Sequence, residues 1–193
     1  MQLYRRAFLL TPILGASAGQ AAESDDAARL LAAGGVVAAF RHTLAPGTFD
    51  PPGFKIGDCS TQRNLSDEGR AQARQLGAWF KARQLRPAQV RSSPWCRCVD
   101  TATLAFGTAT VWSALGSPSG QTAEATSARQ LALRQALQAA SRQQGVQGAF
   151  EVWVTHMFVM NDLAQVALAP GEGLVLRADP AGAPQVLARI MVA

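Results

Sequence analysis

The sequence predicts a three-layer α/β/α sandwich with a mostly parallel sheet and an antiparallel edge. Apolar runs of strand length alternate with helical segments along most of the chain. Two of these runs, 36–40 and 151–154, are β-branched or aromatic in character and are typical of buried strands. The two histidines of the chain, His42 and His156, follow directly after them. Because parallel strands carry ligand sites at their carboxyl ends, we expect both histidines in one site.

Helices and strands alternate through the first half of the chain. The Gly34–Gly35 pair ends a first helix, and Ser66, followed by two acidic residues, begins another. Ser93 and Pro94 form a cap followed by proline at the first helical position. The predicted order is a helix over 25–33, a strand over 36–41, a loop over 43–64, a helix over 66–83, a strand over 89–93 and a helix over 93–106.

The second half continues this alternation and ends in a hairpin. Small residues dominate the stretch after the third helix, which indicates a loop. Apolar residues at helical spacing follow it, and a Pro/Gly turn separates the last two apolar runs. The predicted order is a loop over 108–120, a helix over 122–143, a strand over 151–155, a helix over 157–168 and a hairpin of strands over 173–177 and 185–192.

The amino terminus has the pattern of an export signal. Arg5 and Arg6 precede a short apolar stretch and a run of small residues, which places cleavage within 18–22. The apolar part has about a dozen residues, fewer than a spanning helix needs, so no stable membrane span is expected after cleavage. The general and the twin-arginine export routes both fit. We therefore expect residues 1–22 to be a signal peptide and 23–193 a single periplasmic or secreted domain.

Size and charge narrow the class of partner. About 170 residues after the signal suit one domain with a sizeable core. The net charge is +5 and the sequence pI about 9.9. The basic residues are scattered, without a run interleaved with aromatics, so nucleic acid is not expected. A small anionic substrate fits better, bound by a monomer or weak dimer without a cofactor or metal.

The three cysteines fit one disulfide and one free thiol, as an exported protein would have. Cys96 and Cys98 are two apart on a predicted helix, so their side chains diverge and cannot easily join. We expect a bridge between Cys59 and Cys96, with Cys98 buried as a small apolar group. A zinc site is disfavoured because the paired spacing of structural zinc ligands is missing.

Four ordered motifs resemble those of the histidine phosphatase, or phosphoglycerate-mutase-like, superfamily. The family pattern is Arg-His-Gly after the first strand, Leu-[Ser/Thr]-x-x-Gly-x-x-Gln-Ala at a helix start, Ser-Ser-Pro-x-x-Arg-Ala-x-Glu-Thr-Ala, and a late strand ending in histidine. The matching segments are Arg41–Thr43, Leu65–Ala73, Ser92–Ala102 and Thr155–His156. Threonine replaces glycine in the first motif, and the third has cysteine for alanine and aspartate for glutamate. The resemblance covers 36–156 and implies a phosphoglycerate mutase-like fold.

The resemblance implies a phosphate site and a histidine nucleophile. His42 would attack phosphorus and form a phosphohistidine that water hydrolyses. Arg41 and Arg97 would hold the phosphate oxygens, and their positive charges would keep His42 neutral. His156 would donate to the same oxygens as charge builds in the transition state. The amino end of the helix beginning at Ser93 is expected to face the anion.

The leaving-group acid is less clearly marked. Arg63 and Asn64 lie where the family often supplies extra substrate contacts, although Asn64 would equally serve as a cap for the next helix. The segment 107–150 contains one acidic residue, Glu124, which is the candidate general acid. Asp58, in the loop after the first strand, is an alternative acid or substrate contact, and a site without a dedicated acid is a third possibility.

Either histidine alone would fit a structural residue at a strand end whose hydrogen bonds are satisfied. The two histidines together with the arginine-containing motifs favour a catalytic role. We therefore expect an exported, metal-independent phosphatase acting on a small phosphomonoester. Thr43, in place of the family glycine, is expected to alter the pocket floor. Because of this substitution and the unassigned general acid, a second function stays open: a catalytically weak phospho-ligand-binding or regulatory protein with the same fold. A phosphomutase is a further alternative that export disfavours, and the natural substrate is not indicated.

Overall fold

The computed structural model describes residues 17–118 and 121–192, and within these ranges it has one six-stranded sheet and five α-helices. Residues 1–16 of the predicted signal lie outside this part, while 17–22 begin the first helix. The strands are β1 (Val36–Arg41), β2 (Gln89–Ser92), β3 (Thr110–Val111), β4 (Phe150–Thr155), β5 (Gly173–Ala178) and β6 (Pro184–Ile190). The helices are α1 (Ser17–Ala33), α2 (Asp67–Ala82), α3 (Cys96–Phe106), α4 (Ala123–Ser141) and α5 (Met157–Ala164).

The sheet has the order β3-β2-β4-β1-β5-β6. The first four strands of that order pair in parallel, whereas β5 is antiparallel to β1 and β6 is antiparallel to β5. The predicted parallel sheet with an antiparallel edge is therefore confirmed. Since β1 and β4 are adjacent and parallel, their carboxyl ends lie together at one edge of the sheet.

Two apolar cores separate the helices into the two outer layers of the predicted sandwich. Val36, Ala38 and Phe40 of β1 belong to the core that packs against α1, α2 and α3. Val37 and Ala39 belong to the other core, against α4 and α5. All five side chains are fully buried, as expected for a strand covered on both faces.

The second helix begins as its sequence predicts. The Ser66 side chain accepts a hydrogen bond from the Gly69 backbone N–H, with a distance of 3.0 Å, and the first turn carries Asp67 and Glu68. A Cβ at Gly69 would collide with the backbone carbonyl of Leu44, so the glycine of this motif lets the helix start pack closely against the loop after β1.

Several details differ from the prediction. The first helix begins at Ser17, and α3 begins at Cys96, because its N-cap is Trp95, with extended backbone, and not Ser93. The helix α5 ends at Ala164, where Gln165 adopts a left-handed conformation with φ 56°. The predicted loop 108–120 contains the short strand β3 and a 3-10 helix.

No α-helix in the described part of the chain has the length and apolar character needed to cross a membrane.

Candidate active site

The two histidines meet at the edge of the sheet where β1 and β4 end. The His42 backbone N–H donates to the carbonyl of Thr155, with an N···O distance of 2.9 Å, which extends the pairing of the two strands by one residue. The two imidazole rings have a centroid distance of 5.6 Å, and their side chains are almost fully buried. The expectation that strand ends bring them together is confirmed.

A cavity of about 280 Å³ opens beside these histidines. Its inner wall combines both imidazoles with guanidinium groups, and its outer part carries apolar side chains. The lining residues are Arg41, His42, Gly47, Thr48, Phe49, Asp50, Phe54, Arg63, Arg97, Ser117, His156, Met157 and Phe158.

His42 is held as a neutral imidazole with a defined tautomer. Its Nδ1 lies 2.8 Å from the carbonyl oxygen of Thr43. A carbonyl only accepts, so Nδ1 carries the proton and Nε2 keeps its lone pair. Burial lowers the pKa of His42 to about 3; the positive charges of the site arginines act in the same direction, and the hydrogen bond to Thr43 opposes them. Burial, more than the arginines named by the motif, accounts for the neutral state.

Thr43, which replaces the family glycine, supports this arrangement from behind. Its side chain is fully buried and is not among the residues that line the cavity, so the expected change of the pocket floor is not seen. The Thr43 hydroxyl and backbone N–H lie 3.0 and 3.1 Å from the hydroxyl of Thr101, which in turn donates to the Arg97 carbonyl at 2.7 Å. These hydrogen bonds join the end of β1 to α3.

His156 is fixed from the α3 side. Its Nε2 lies 2.8 Å from the hydroxyl oxygen of Ser93 and 3.5 Å from the Cys98 sulfur. Burial lowers the pKa of His156 well below its ordinary value, and the charge of Arg97 lowers it further. His156 is therefore also neutral, with one nitrogen able to donate a hydrogen bond.

Three arginines concentrate positive charge in the cavity. Arg41 donates to the carbonyl of Leu168 at 2.7 Å, and Arg63 donates to the carbonyl of Ala45. Burial lowers the pKa of Arg41 and of Arg63, and the nearby charge of Arg97 lowers both further. The Nε atoms of Arg41, Arg63 and Arg97 are buried without a hydrogen-bond partner in the structure. Buried donors without acceptors, beside three like charges, are the features of an anion site.

The carboxylate of Asp50 holds Arg97, and the sequence reasoning missed it. Its two oxygens accept from the Arg97 guanidinium at 2.8 and 3.2 Å, from Trp95 Nε1 at 3.1 Å and from the Arg63 backbone N–H at 3.0 Å. Burial alone would raise the pKa of Asp50, but the hydrogen bonds from Arg97 and Arg63 bring it below its usual value. One signal was available: Asp50 is the first acidic residue after His42.

The predicted disulfide lies next to this pair. Cys59 and Cys96 are bonded, which joins the loop after β1 to the residue that precedes Arg97. Cys98 is the free cysteine and is fully buried, as predicted, and burial raises the pKa of its thiol to about 12. The prediction for all three cysteines is confirmed.

Glu124 does not reach the cavity, so its assignment as the general acid needs correction. It lies in the exposed first turn of α4 and is not among the lining residues. Hydrogen bonds with its own backbone N–H and with the Thr122 side chain lower the pKa of Glu124, whereas a general acid needs a raised pKa. That Glu124 is the only acidic residue of the segment 107–150 is a fact of composition. Composition does not determine whether its side chain faces the cavity.

Asp58 and Asn64 also lie outside the lining of the cavity. The Asp58 carboxylate accepts from the backbone and hydroxyl of Ser60 and caps the 3-10 helix Cys59–Thr61. Asn64 donates to the Cys59 carbonyl at 2.7 Å. Both side chains therefore stabilise the loop around the disulfide instead of forming the expected substrate contacts.

The amino end of α3 is already occupied by protein groups. The Cys96 N–H donates to the Gln62 side chain at 3.0 Å, and the Trp95 N–H donates to the Ser93 hydroxyl at 3.3 Å. These two donors are not free for an anion, contrary to the prediction. Arg97, in the first turn of the helix, supplies the side-chain donors that α3 directs to the cavity.

Comparison with known protein families gives a match over part of the chain. The model of the histidine phosphatase superfamily (branch 1) matches residues 59–115, which include Arg63 and Arg97. No curated protein matches the chain.

Several solved structures have a similar fold, and three of them illustrate the likeness. The protein histidine phosphatase SixA, complexed with tungstate, is 17% identical, with a TM-score of 0.57 over 80% of this chain and 96% of SixA. Mycobacterial glucosyl-3-phosphoglycerate phosphatase is 15% identical, with a TM-score of 0.56 over 79% of this chain and 97% of that one. A putative α-ribazole-5′-P phosphatase from Escherichia coli is 14% identical, with a TM-score of 0.55 over 82% and 97% of the two chains. These structures show the fold of the chain, and the match to the histidine phosphatase superfamily model covers residues 59–115.

Proposed function

We propose that the protein is a phosphatase that hydrolyses phosphomonoesters through a phosphohistidine on His42. One observation carries this proposal: a neutral imidazole with a free Nε2 lone pair lies in a cavity with three arginines whose buried Nε atoms have no partner. The imidazole suits attack on phosphorus, and the guanidinium groups suit the phosphate oxygens.

The reaction has two steps. Nε2 of His42 attacks phosphorus, the bond to the leaving oxygen breaks, and that oxygen departs with the electron pair. A water then attacks the phosphohistidine, the N–P bond breaks, and the water proton leaves to the product phosphate or solvent. Arg41, Arg97 and His156 hold the phosphoryl oxygens during both steps, and Arg63 adds a further positive charge. No metal is needed in this scheme because the arginines balance the charge of the phosphoryl group.

Export and processing complete the proposal. Residues 1–22 would direct the chain to an oxidising compartment and be removed, leaving 23–193 as a periplasmic or secreted domain that is monomeric or a weak dimer. The disulfide between Cys59 and Cys96 supports this location because such bonds persist mainly outside the cytosol.

The test is hydrolysis of p-nitrophenyl phosphate by the purified chain, with and without EDTA, beside His42→Ala. We expect turnover that EDTA does not reduce and that His42→Ala lowers at least about 10³-fold, as removal of a nucleophile does. Arg134→Ala, a variant away from the cavity, serves as the matched control and should keep its rate. Retention of activity in folded His42→Ala, or loss with EDTA, would refute the proposal.

A second candidate is a phospho-ligand-binding protein with little turnover. The observation that favours it is the engagement of Asp50 with Arg97, which leaves no free carboxylate among the described cavity residues to protonate a leaving group. Binding of inorganic phosphate by the wild type, together with no turnover of any phosphomonoester, would select this candidate.

A further inference from the structure

We propose, on the basis of the proposed phosphatase function, that the natural substrates are aryl phosphates: monoesters in which the phosphate is carried on a phenolic ring. Two separate features of the cavity lead to this substrate class. The first is the chemistry of its mouth, and the second is the state of its single carboxylate.

The mouth of the cavity presents exposed aromatic rings. Eight large apolar side chains in the described part of the chain are exposed, and the two aromatic ones, Phe49 and Phe158, both line this cavity. Phe49 is 74% exposed and Phe158 44% exposed. They come from different segments, the loop after β1 and the first turn of α5. Exposed phenylalanine is unfavourable in water, so two at one opening indicate an apolar ligand group.

Further apolar groups continue this surface. Phe54 and Met157 also line the cavity, and the Phe54 ring lies 6.0 Å from the Trp95 ring that packs against His156. An aromatic leaving group attached to a phosphate bound by the arginines has ring partners available at the mouth.

The carboxylate of Asp50 is committed as an acceptor. Its four hydrogen bonds all come from N–H donors, on Arg97, Trp95 and the Arg63 backbone. A proton on this carboxyl would have to displace one of these donors, so Asp50 does not protonate a leaving oxygen. No other described lining residue carries a carboxylate. The leaving group must therefore depart as an anion, with its proton taken from solvent, which phenolate does far more readily than an alkoxide.

The first experiment compares two esters whose leaving groups have similar acidity. Phenyl phosphate and hexafluoroisopropyl phosphate differ mainly in the aromatic ring. We expect wild type to prefer phenyl phosphate about 3- to 10-fold in kcat/KM, a factor typical of ring contacts. Phe49→Ala and Phe158→Ala should each reduce that preference without changing inhibition by inorganic phosphate, which reports the arginine site. Leu131→Ala, an exposed apolar residue on α4 outside the cavity, is the matched control. Equal rates for the two esters in wild type would overturn the proposal.

The second experiment measures kcat/KM for a series of substituted phenyl phosphates. Without a proton donor, log kcat/KM should fall steeply as the leaving-group pKa rises, and Asp50→Asn should lower all rates while leaving that slope unchanged. A shallow slope in wild type that steepens in Asp50→Asn would identify Asp50 as a general acid and overturn the proposal.

These outcomes separate the substrate class from the activity. If His42-dependent hydrolysis occurs but shows no preference for the ring, the substrate class is wrong and the phosphatase proposal stands. If no phosphomonoester is hydrolysed at all, the phosphatase proposal itself fails.

Discussion

The two sides of the cavity are built in different ways. On the sheet side, Arg41, His42 and His156 are positioned by the ends of two adjacent parallel strands. On the loop side, Asp50 and Arg63 are positioned by side-chain hydrogen bonds between residues far apart in sequence. The sheet side supplies the groups that suit phosphate chemistry, and the loop side orients an arginine and forms the mouth. Regular structure thus fixes the reactive groups, while long-range side-chain contacts fix what surrounds them.

Opening the disulfide should have the largest effect, and it tests the loop side. The bond joins residues 37 apart, and the entropy of closing such a loop corresponds to about 4 kcal/mol of stability. We expect the double variant Cys59→Ser/Cys96→Ser to lose about that much in chemical denaturation. Because Asp50 and Arg63 lie on the tethered segment, KM should rise more than kcat falls. Arg142→Ala, outside both bridge and cavity, is the control; a loss below about 1 kcal/mol would show that the bridge does not stabilise the fold.

His156→Ala tests the sheet side. It should change the activation free energy by somewhat less than the disulfide variant changes the free energy of unfolding. Removing one preorganised donor to a transition-state oxyanion costs about 10²–10³ in kcat, or about 3–4 kcal/mol. We expect kcat to fall by this factor while KM changes little. The disulfide variant should show the opposite, with a larger change in KM than in kcat. His156→Gln, which restores a donor, should recover part of the rate. A fall confined to KM would contradict the assignment of His156 to the transition state.

The smallest effect is expected for a pH titration, in which neither imidazole should change its protonation state. Burial lowers the pKa of His42 to about 3 and that of His156 well below its ordinary value. Both are therefore neutral, and NMR of the ligand-free protein should show no imidazole titration between about pH 5 and 8. The chain has only these two histidines, so one variant that lacks either of them is enough to assign both imidazole signals. A midpoint near 6.5 for either signal would contradict the buried, neutral site.

The same pKa shifts set the sign of the stability change with pH. An unfolded histidine takes up a proton near pH 6.5, whereas folded His42 does so only near 3. Between these values the unfolded state binds more protons. The stability contributed by the neutral imidazole is therefore complete above pH 6.5 and is lost progressively as the pH falls towards 3.

The fold and the sheet side of the cavity were predictable because both depend on local pattern. The buried strands before His42 and His156 show a continuous apolar run, and Ser66 with its acidic neighbours marks the start of α2. The short strand Thr110–Val111 gave no such signal, because both of its side chains are exposed.

The loop side could be predicted only in part. The cysteine count and the helical spacing led to the disulfide, but Asp50 lies in a proline-rich stretch whose composition indicates no more than irregular structure. Its partners Arg63 and Arg97 are 13 and 47 residues away, so no local pattern reveals the contact. Glu124 shows the converse error, since being the sole acidic residue of a segment says nothing about distance from the cavity.

The bridge between Cys59 and Cys96 also determines what a protease can do to the molecule. It closes a covalent ring that contains α2, β2 and the exposed turn between them. A single cut in that turn, beside Arg83, would divide the backbone but would leave the two fragments bonded through sulfur. Arg63 on one fragment and Arg97 on the other would stay attached, so a nicked molecule would gain only the mass of one water and would keep both arginines until the disulfide was reduced.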